Sequence, residues 1–235
     1  MAARSARRAE LGQFFTPRPV AEFAVEALLA LGLGRGRLRV ADPACGEGVF
    51  LQAVARRLPQ AELWGCDVDG ALAARWRAAG LREPRAHMAV HDGLVDGPLF
   101  GLGAGTFDVV VGNPPYGFGV PRPEGRERIE ERFVRRFVEM TRPGGWLAAV
   151  VPEGIVANAR CQALRDWVLE RAALKAVVAL PEATFAAAGT RARTVLLMAR
   201  RQRRGGGQAL LASAGAGAGL EGYLAEVLER MRSGS

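Results

Sequence analysis

The hydrophobic positions along the chain switch between two spacings. After Pro17, the residues Val20, Phe23, Ala24, Ala27, Leu28 and Leu31 recur three and four apart, which predicts a helix. Thr16 stands where an N-cap would, prolines occupy the first turn, and Gly32, Gly34 and Gly36 end the pattern. Short apolar runs and helical patterns then alternate. Strands are predicted over 38–42, 61–67, 85–90, 107–112, 146–151, 174–180 and 194–200. Helices are predicted over 49–58, 71–79, 126–141, 158–170 and 220–231. In the helix 126–141, Ile129, Phe133, Phe137 and Met140 share one side.

Strand–helix alternation of this kind predicts a mostly parallel α/β sheet with helices on both faces. The run Phe107-Asp108-Val109-Val110-Val111-Gly112 suits a strand covered on both sides. Only residues 181–193 separate the last two of the seven strands, too few for a helical crossover, so that pair is expected to be antiparallel. The chain divides into an N-terminal segment and helix (1–36), a core (37–204), and a Gly/Ala-rich linker with a short helix (205–235). Tyr223, Leu224, Val227 and Leu228 lie on one face of that last helix. The face reads equally as packed on its own domain or as a docking element or the stub of a further domain.

Composition adds limits rather than identity. The chain has 235 residues, 49% hydrophobic and 24% charged, which excludes disordered and fibrous classes and suits one main domain. No apolar run reaches the roughly 18–20 residues that span a membrane. Cys45, Cys66 and Cys161 are odd in number and lack CxxC spacing, as expected of a reducing cytoplasm. The formal charge is +8, and Lys175 is the only lysine. A positive chain favours anionic partners, although the arginine bias is equally a coding habit. The charge is unevenly placed. Residues 1–40 carry +4, 41–120 carry −3, 121–204 carry +8 and 205–235 carry −1. An acidic segment thus lies between two basic ones.

The acidic segment holds the candidate chemistry. Asp42-Pro43-Ala44-Cys45-Gly46-Glu47-Gly48-Val49-Phe50 joins the first strand to its helix. Its glycines allow close backbone approach, but neither a GxGxxG spacing nor a Walker lysine is present. Asp67 ends the second strand, where a carboxylate suits a ribose diol. Asp92 follows the third. Three carboxylates around one Gly loop predict a small ligand with amine and hydroxyl groups and net positive charge. S-adenosylmethionine fits. Asn113-Pro114-Pro115-Tyr116 follows the fourth strand. Alone it reads as a turn. Beside the acidic strand ends it reads as a site for a planar amine. The Asn113 amide and the Pro114 carbonyl would accept the two N–H groups of an adenine amine and make its nitrogen nucleophilic. Tyr116 would stack on the base, and a paired base would have to flip out to arrive.

These motifs resemble the catalytic core of the γ-type N6-adenine DNA methyltransferases, especially the methylation subunit of type I restriction–modification systems. The resemblance covers about residues 11–203. Gly12-Gln13-Phe14-Phe15-Thr16-Pro17 is similar to the N-terminal cofactor motif, residues 42–50 to the main cofactor loop, and residues 113–116 to the catalytic motif. Gly144-Gly145-Trp146 through Gly154, and residues 180–185 with Gly189-Thr190, are similar to later segments. The resemblance implies a Rossmann-like fold that uses S-adenosylmethionine. It implies that Phe15 and Thr16 meet the cofactor's methionine end, with Asp42, Ala44 and Gly46 in its main loop. Asp67 would then hold the ribose, Val68 would pack on the cofactor's adenine, and Asp92 would bind its amine. Asn113 and Pro115 would border it too, and Phe185 would contact the target base. DNA is the implied substrate, in the cytoplasm of a bacterium or archaeon, at the nucleoid.

The chain departs from the family beyond residue 204, where single-chain members continue into a target-recognition domain. A separate specificity partner, a missing domain or weak sequence selection is therefore expected. Arg191 and Arg193, beside the expected base site, are candidates for phosphate contact. The Arg-rich helix 122–142 could line a DNA channel, but its Arg/Glu mixture reads more as a solvated face. His87 and His91 lie on a strand without a third ligand, so no metal site is expected. Cys45 has no placed histidine and reads as a small buried thiol. Two other functions fit in part. Protein glutamine and RNA methyltransferases use the same tetrapeptide, usually without an N-terminal motif like residues 12–17. A silent DNA-binding subunit would keep the fold alone.

Overall fold

The computed structural model describes residues 15–97, 105–117, 127–188, 192–202, 208–214 and 219–233. Helix α1 (Arg18–Ala30) is followed by β1 (Arg39–Asp42), α2 (Val49–Arg57), β2 (Glu62–Asp67), α3 (Ala73–Ala78) and β3 (Ala86–Val90). Then come β4 (Phe107–Gly112), α4 (Ile129–Met140), β5 (Thr141–Pro152), α5 (Gln162–Leu169), β6 (Ala172–Ala179) and β7 (Thr194–Arg201). The last described elements are β8 (Leu210–Ala212) and α6 (Leu220–Ser233). The sheet order is β3-β2-β1-β4-β5-β7-β6-β8. β7 runs antiparallel to both of its neighbours, and every other pair is parallel.

The expected α/β sheet is present with one strand more than expected. β8 falls within the stretch read as linker and pairs parallel with β6. The antiparallel strand is therefore β7, not the last strand. Three residues rich in Leu and Ala, with glycines on either side, carry too little alternation to register as a strand. β5 also begins earlier than its apolar run. Thr141 ends α4 and opens β5 at once; its hydroxyl donates to the Phe137 carbonyl at 2.6 Å.

Alternation along the strands builds two cores. Val109 and Val111 pack on one face with α1, α2 and α6, whereas Val110 packs on the other with α4 and α5. α6 is part of the first core. Its Tyr223, Leu224, Val227 and Met231 are buried, and Arg232 reaches back to Glu26 of α1 at 3.1 Å. Of its two readings, packing on its own domain is the one seen. Two expected caps are absent. Pro17, not Thr16, occupies the N-cap of α1, where its carbonyl accepts from Val20 N at 3.0 Å. Asn158 opens a 3-10 turn (Ala159–Cys161) ahead of α5 and makes no side-chain cap. No helix among the described residues is long and apolar enough to cross a membrane.

Candidate active site

A cavity of about 520 Å³ opens at the C-terminal ends of β1, β2, β3 and β4. Such crevices hold the ligands of open α/β sheets. Phe15, Thr16, Asp42, Ala44, Gly46, Asp67, Val68, Asp92, Asn113 and Pro115 all line it. Residues from five separated stretches of sequence therefore meet at one place.

The loop after β1 is held by main-chain bonds. Cys45 N donates to Cys66 O at 2.8 Å, and Gly46 N donates to the Asp67 carboxylate at 2.9 Å. The Trp76 indole of α3 donates to Gly46 O at 2.7 Å. The second Asp67 oxygen accepts from Asp69 N at 3.0 Å, so this side chain ties the loops after β1 and β2 together. The Phe15 ring lies beside Gly46: a Cβ built there would fall 3.8 Å from it. Gly112 needs its lack of a side chain more strictly. Its φ is +156°, and a Cβ would come within 2.6 Å of an Asp42 oxygen. The ends of β1 and β4 can approach this closely only through glycine, and Asn113 comes next.

Asp42 is 1% exposed. One of its oxygens accepts from Ala44 N at 3.2 Å; the other is buried with no hydrogen-bond partner among the described residues. Burial, with the Asp67 charge adding to it, pushes its carboxyl well above the usual range. An unpaired carboxylate oxygen in a cavity that also holds Asp67 and Asp92 fits a cationic ligand. The sulfonium and ammonium groups of S-adenosylmethionine would supply such charge, and half-exposed Val68 gives the cavity an apolar rim.

The base-side residues are placed differently. Tyr116 does not line the cavity. It is 2% exposed, and its hydroxyl donates to Asn113 Oδ1 at 2.6 Å. Burial raises its phenol well above the ordinary value, and Glu130 adds to the effect. Phe185 is 1% exposed, packed within the core on the α1 side of the sheet. Arg193 is ion-paired with Glu182 at 2.9 Å and is not a lining residue; Arg191 lies outside the described residues, as do residues 12–14.

The helix α4 contributes what the sequence left unassigned. Ile129, Arg132 and Phe133 line the cavity, and Glu130 is 3% exposed with its carboxylate accepting from Gly117 N at 2.8 Å. Glu131 is buried as well, against Arg160 and Cys161. Arg136 donates to Gly93 O at 3.0 Å and pairs with Asp96. The expected solvated face of this helix is thus corrected in part: Glu130 and Glu131 turn inward, to Gly117 N and Arg160, whereas Arg132 and Glu139 stay exposed. The apolar stripe Ile129–Phe133 was a legible signal. Its extension beyond the sheet into the cavity was not. His87 stacks on Trp64 and bonds Glu83, and His91 bonds the Val95 carbonyl. Among the described residues no cluster of three metal-ligating side chains occurs.

Fold and site together define a methyltransferase-like α/β protein. The chain belongs to the N-6 DNA methylase family, whose model matches residues 1–219. It is 28% identical over 192 residues to a defense against restriction protein B of Escherichia phage P1, covering 77% of this chain and 8% of that protein. It is 26% identical over 195 residues to a type II restriction enzyme and methyltransferase of Heyndrickxia coagulans, covering 76% of this chain and 30% of that one. Its fold matches a modification subunit of a putative type I restriction enzyme from Vibrio vulnificus, with TM-score 0.75 and 22% identity, covering 99% of this chain and 56% of that chain. The chain therefore spans a minor part of these two relatives and about half of the solved subunit.

Proposed function

We propose that the protein transfers a methyl group from S-adenosylmethionine to the N6 amine of an adenine flipped out of DNA, within a restriction–modification system. The observation that carries this reading is Asn113 on the wall of a carboxylate-lined cavity, at the end of β4. Family membership supports it.

When bound, S-adenosylmethionine supplies an electrophilic methyl group on a cationic sulfur. Asp42, Asp67 and Asp92 would hold its positive and hydroxyl groups, and Phe15, Thr16 and Val68 would enclose it. The remaining work falls to acceptors aimed at the incoming base. Asn113 Oδ1 and the Pro114 carbonyl accept hydrogen bonds from the two amine N–H groups, which directs the lone pair of N6 at the methyl group and stabilises the charge that develops there; the methylated nitrogen then gives up one proton to solvent. Tyr116 and Phe185 offer aromatic faces, a contact of about 1–3 kcal/mol per base. Tyr116 must first leave its packed position. The DNA sequence is read by a separate specificity subunit or a further domain, since base readout needs side chains presented to a groove. A DNA substrate places the protein in the cytoplasm, at the nucleoid.

Asn113→Ala is expected to abolish tritiated methyl transfer to DNA while calorimetry shows S-adenosylmethionine binding retained. Transfer that persists in this variant refutes the mechanism. Parallel assays on DNA, RNA and release factor test the substrate; labelling of RNA or release factor without DNA would replace this reading.

A further inference from the structure

The arginines of the basic segment are mostly occupied. Arg135 pairs with Glu127, Arg136 with Asp96, Arg142 with Asp108 and Arg160 with Glu131. Arg165 donates to the Ile155 and Asn158 carbonyls, Arg171 pairs with Glu170, and Arg193 with Glu182. Arg200 and Arg201 bond main-chain carbonyls of the β5 region. Among the described arginines of 127–202, Arg128 and Arg132 alone have guanidinium groups that engage no carboxylate, carbonyl or ring. Both are exposed.

Their position gives this meaning. Arg128 is the N-cap of α4, and Arg132 stands one turn further on, where residues four apart share a face. Arg132 lines the cavity with Asn113, Pro115, Ile129 and Phe133. The nearest acidic residues of the same turn do not neutralise the pair. Glu130 points inward to Gly117 N, Glu131 to Arg160, and Glu127 to Arg135. Among the described residues, Arg132 on the cavity wall and Arg128 one turn before it are thus two cations without an acidic partner on the α4 side of Asn113.

We propose that Arg128 and Arg132 bind backbone phosphates of the DNA strand that delivers its base to Asn113. This rests on the DNA reading above. A base that enters the cavity keeps its phosphates at the mouth, and a guanidinium matches a phosphate with paired donors. The role assigned from sequence to Arg193 passes to these two, because the Glu182 carboxylate already offsets the Arg193 charge.

The test is the salt dependence of DNA binding by the 235-residue chain, with wild type compared with Arg128→Ala, Arg132→Ala, the double variant and Arg193→Ala. Each lost phosphate contact is expected to flatten the log–log salt slope by about 1. Arg132→Ala is also expected to raise the DNA KM about tenfold at low salt. Its S-adenosylmethionine affinity, by calorimetry, is expected to stay unchanged, and Arg193→Ala to keep the wild-type slope. A wild type that labels RNA or release factor and not DNA would overturn the functional reading and this inference together. A wild type that methylates DNA, with unchanged slopes in the Arg128 and Arg132 variants, would overturn the inference alone. Weakened cofactor binding in Arg132→Ala with an unchanged slope would assign that arginine to the cofactor instead.

Discussion

Asn113 Oδ1, the oxygen proposed to accept from the target amine, accepts from the Tyr116 hydroxyl in this structure. The two roles compete for one atom. Tyr116→Phe removes the donor and keeps the ring. It is expected to leave the methylation rate within about threefold of wild type and to lower the DNA KM, whereas Tyr116→Ala loses the stacking face and at least about tenfold in kcat/KM. Steady-state kinetics on one DNA substrate separate the two. Asp42 makes a second prediction. Its folded-state pKa is raised, so the folded protein holds that proton to higher pH than the unfolded chain. Stability of the cofactor-free protein is therefore full below the ordinary carboxylate range and falls as pH rises toward the raised value. Asp42→Asn is expected to remove that dependence and to stabilise the cofactor-free protein at neutral pH by on the order of 1–3 kcal/mol, measured by denaturant melts across pH. Affinity for the proposed cationic cofactor is expected to run oppositely, strengthening as Asp42 ionises and falling in the variant. The residue types and strand-end positions of Asp42, Asp67 and Asn113 were readable from sequence, because each follows a clear apolar run. The hydrogen bond between Asn113 and Tyr116 was not, since rotamers depend on packing.

α4 shows how an element can mislead. Its arginines and glutamates alternate as they would on a solvated helix, and only burial reveals that Glu130 and Glu131 face inward. Composition cannot tell a surface carboxylate from one that caps a loop amide. The Glu130–Gly117 bond holds the backbone four residues beyond Asn113. Glu130→Ala leaves that amide without its acceptor, which costs about 1–3 kcal/mol and loosens the loop. Single-turnover rates are expected to fall about 10- to 100-fold with S-adenosylmethionine affinity unchanged, because small misplacements of a reacting group are expensive. Glu130→Gln keeps an acceptor oxygen and is expected to recover most of the rate. If both variants lose cofactor binding equally, the bond serves folding rather than the loop.

At the scale of the whole molecule, the net charge has more than one use. Arg85 donates to three main-chain carbonyls, those of Ala55, Leu58 and Ala61, and Arg56 and Arg57 tie α2 to α1 through Glu22 and Glu26. Much of the arginine therefore braces the fold: its Arg–Glu pairs are already cancelled within the +8, and Arg85 keeps its charge while its donors serve the main chain. The parallel β1–β4 half and the antiparallel pairing of β6 with β7 were legible from spacing and loop length. β8 and the docking of α6 were not: glycines surround both, β8 is only three residues long, and the contacts that fix α6 lie some 200 residues away in sequence, as with Arg232 and Glu26.

The seat of β7 between β5 and β6 also governs the order in which a growing chain can finish its sheet. β5 and β6 leave the ribosome first, yet neither pairs with the other. Until residues 194–201 emerge, both keep an open strand edge rich in Val, Leu and Ala, the kind of edge that recruits other chains. A chain ending at residue 193 is expected to self-associate, seen by light scattering, where the full chain stays dispersed. Synthesis thus has a vulnerable interval, and it closes in one step when a single strand zips both edges at once.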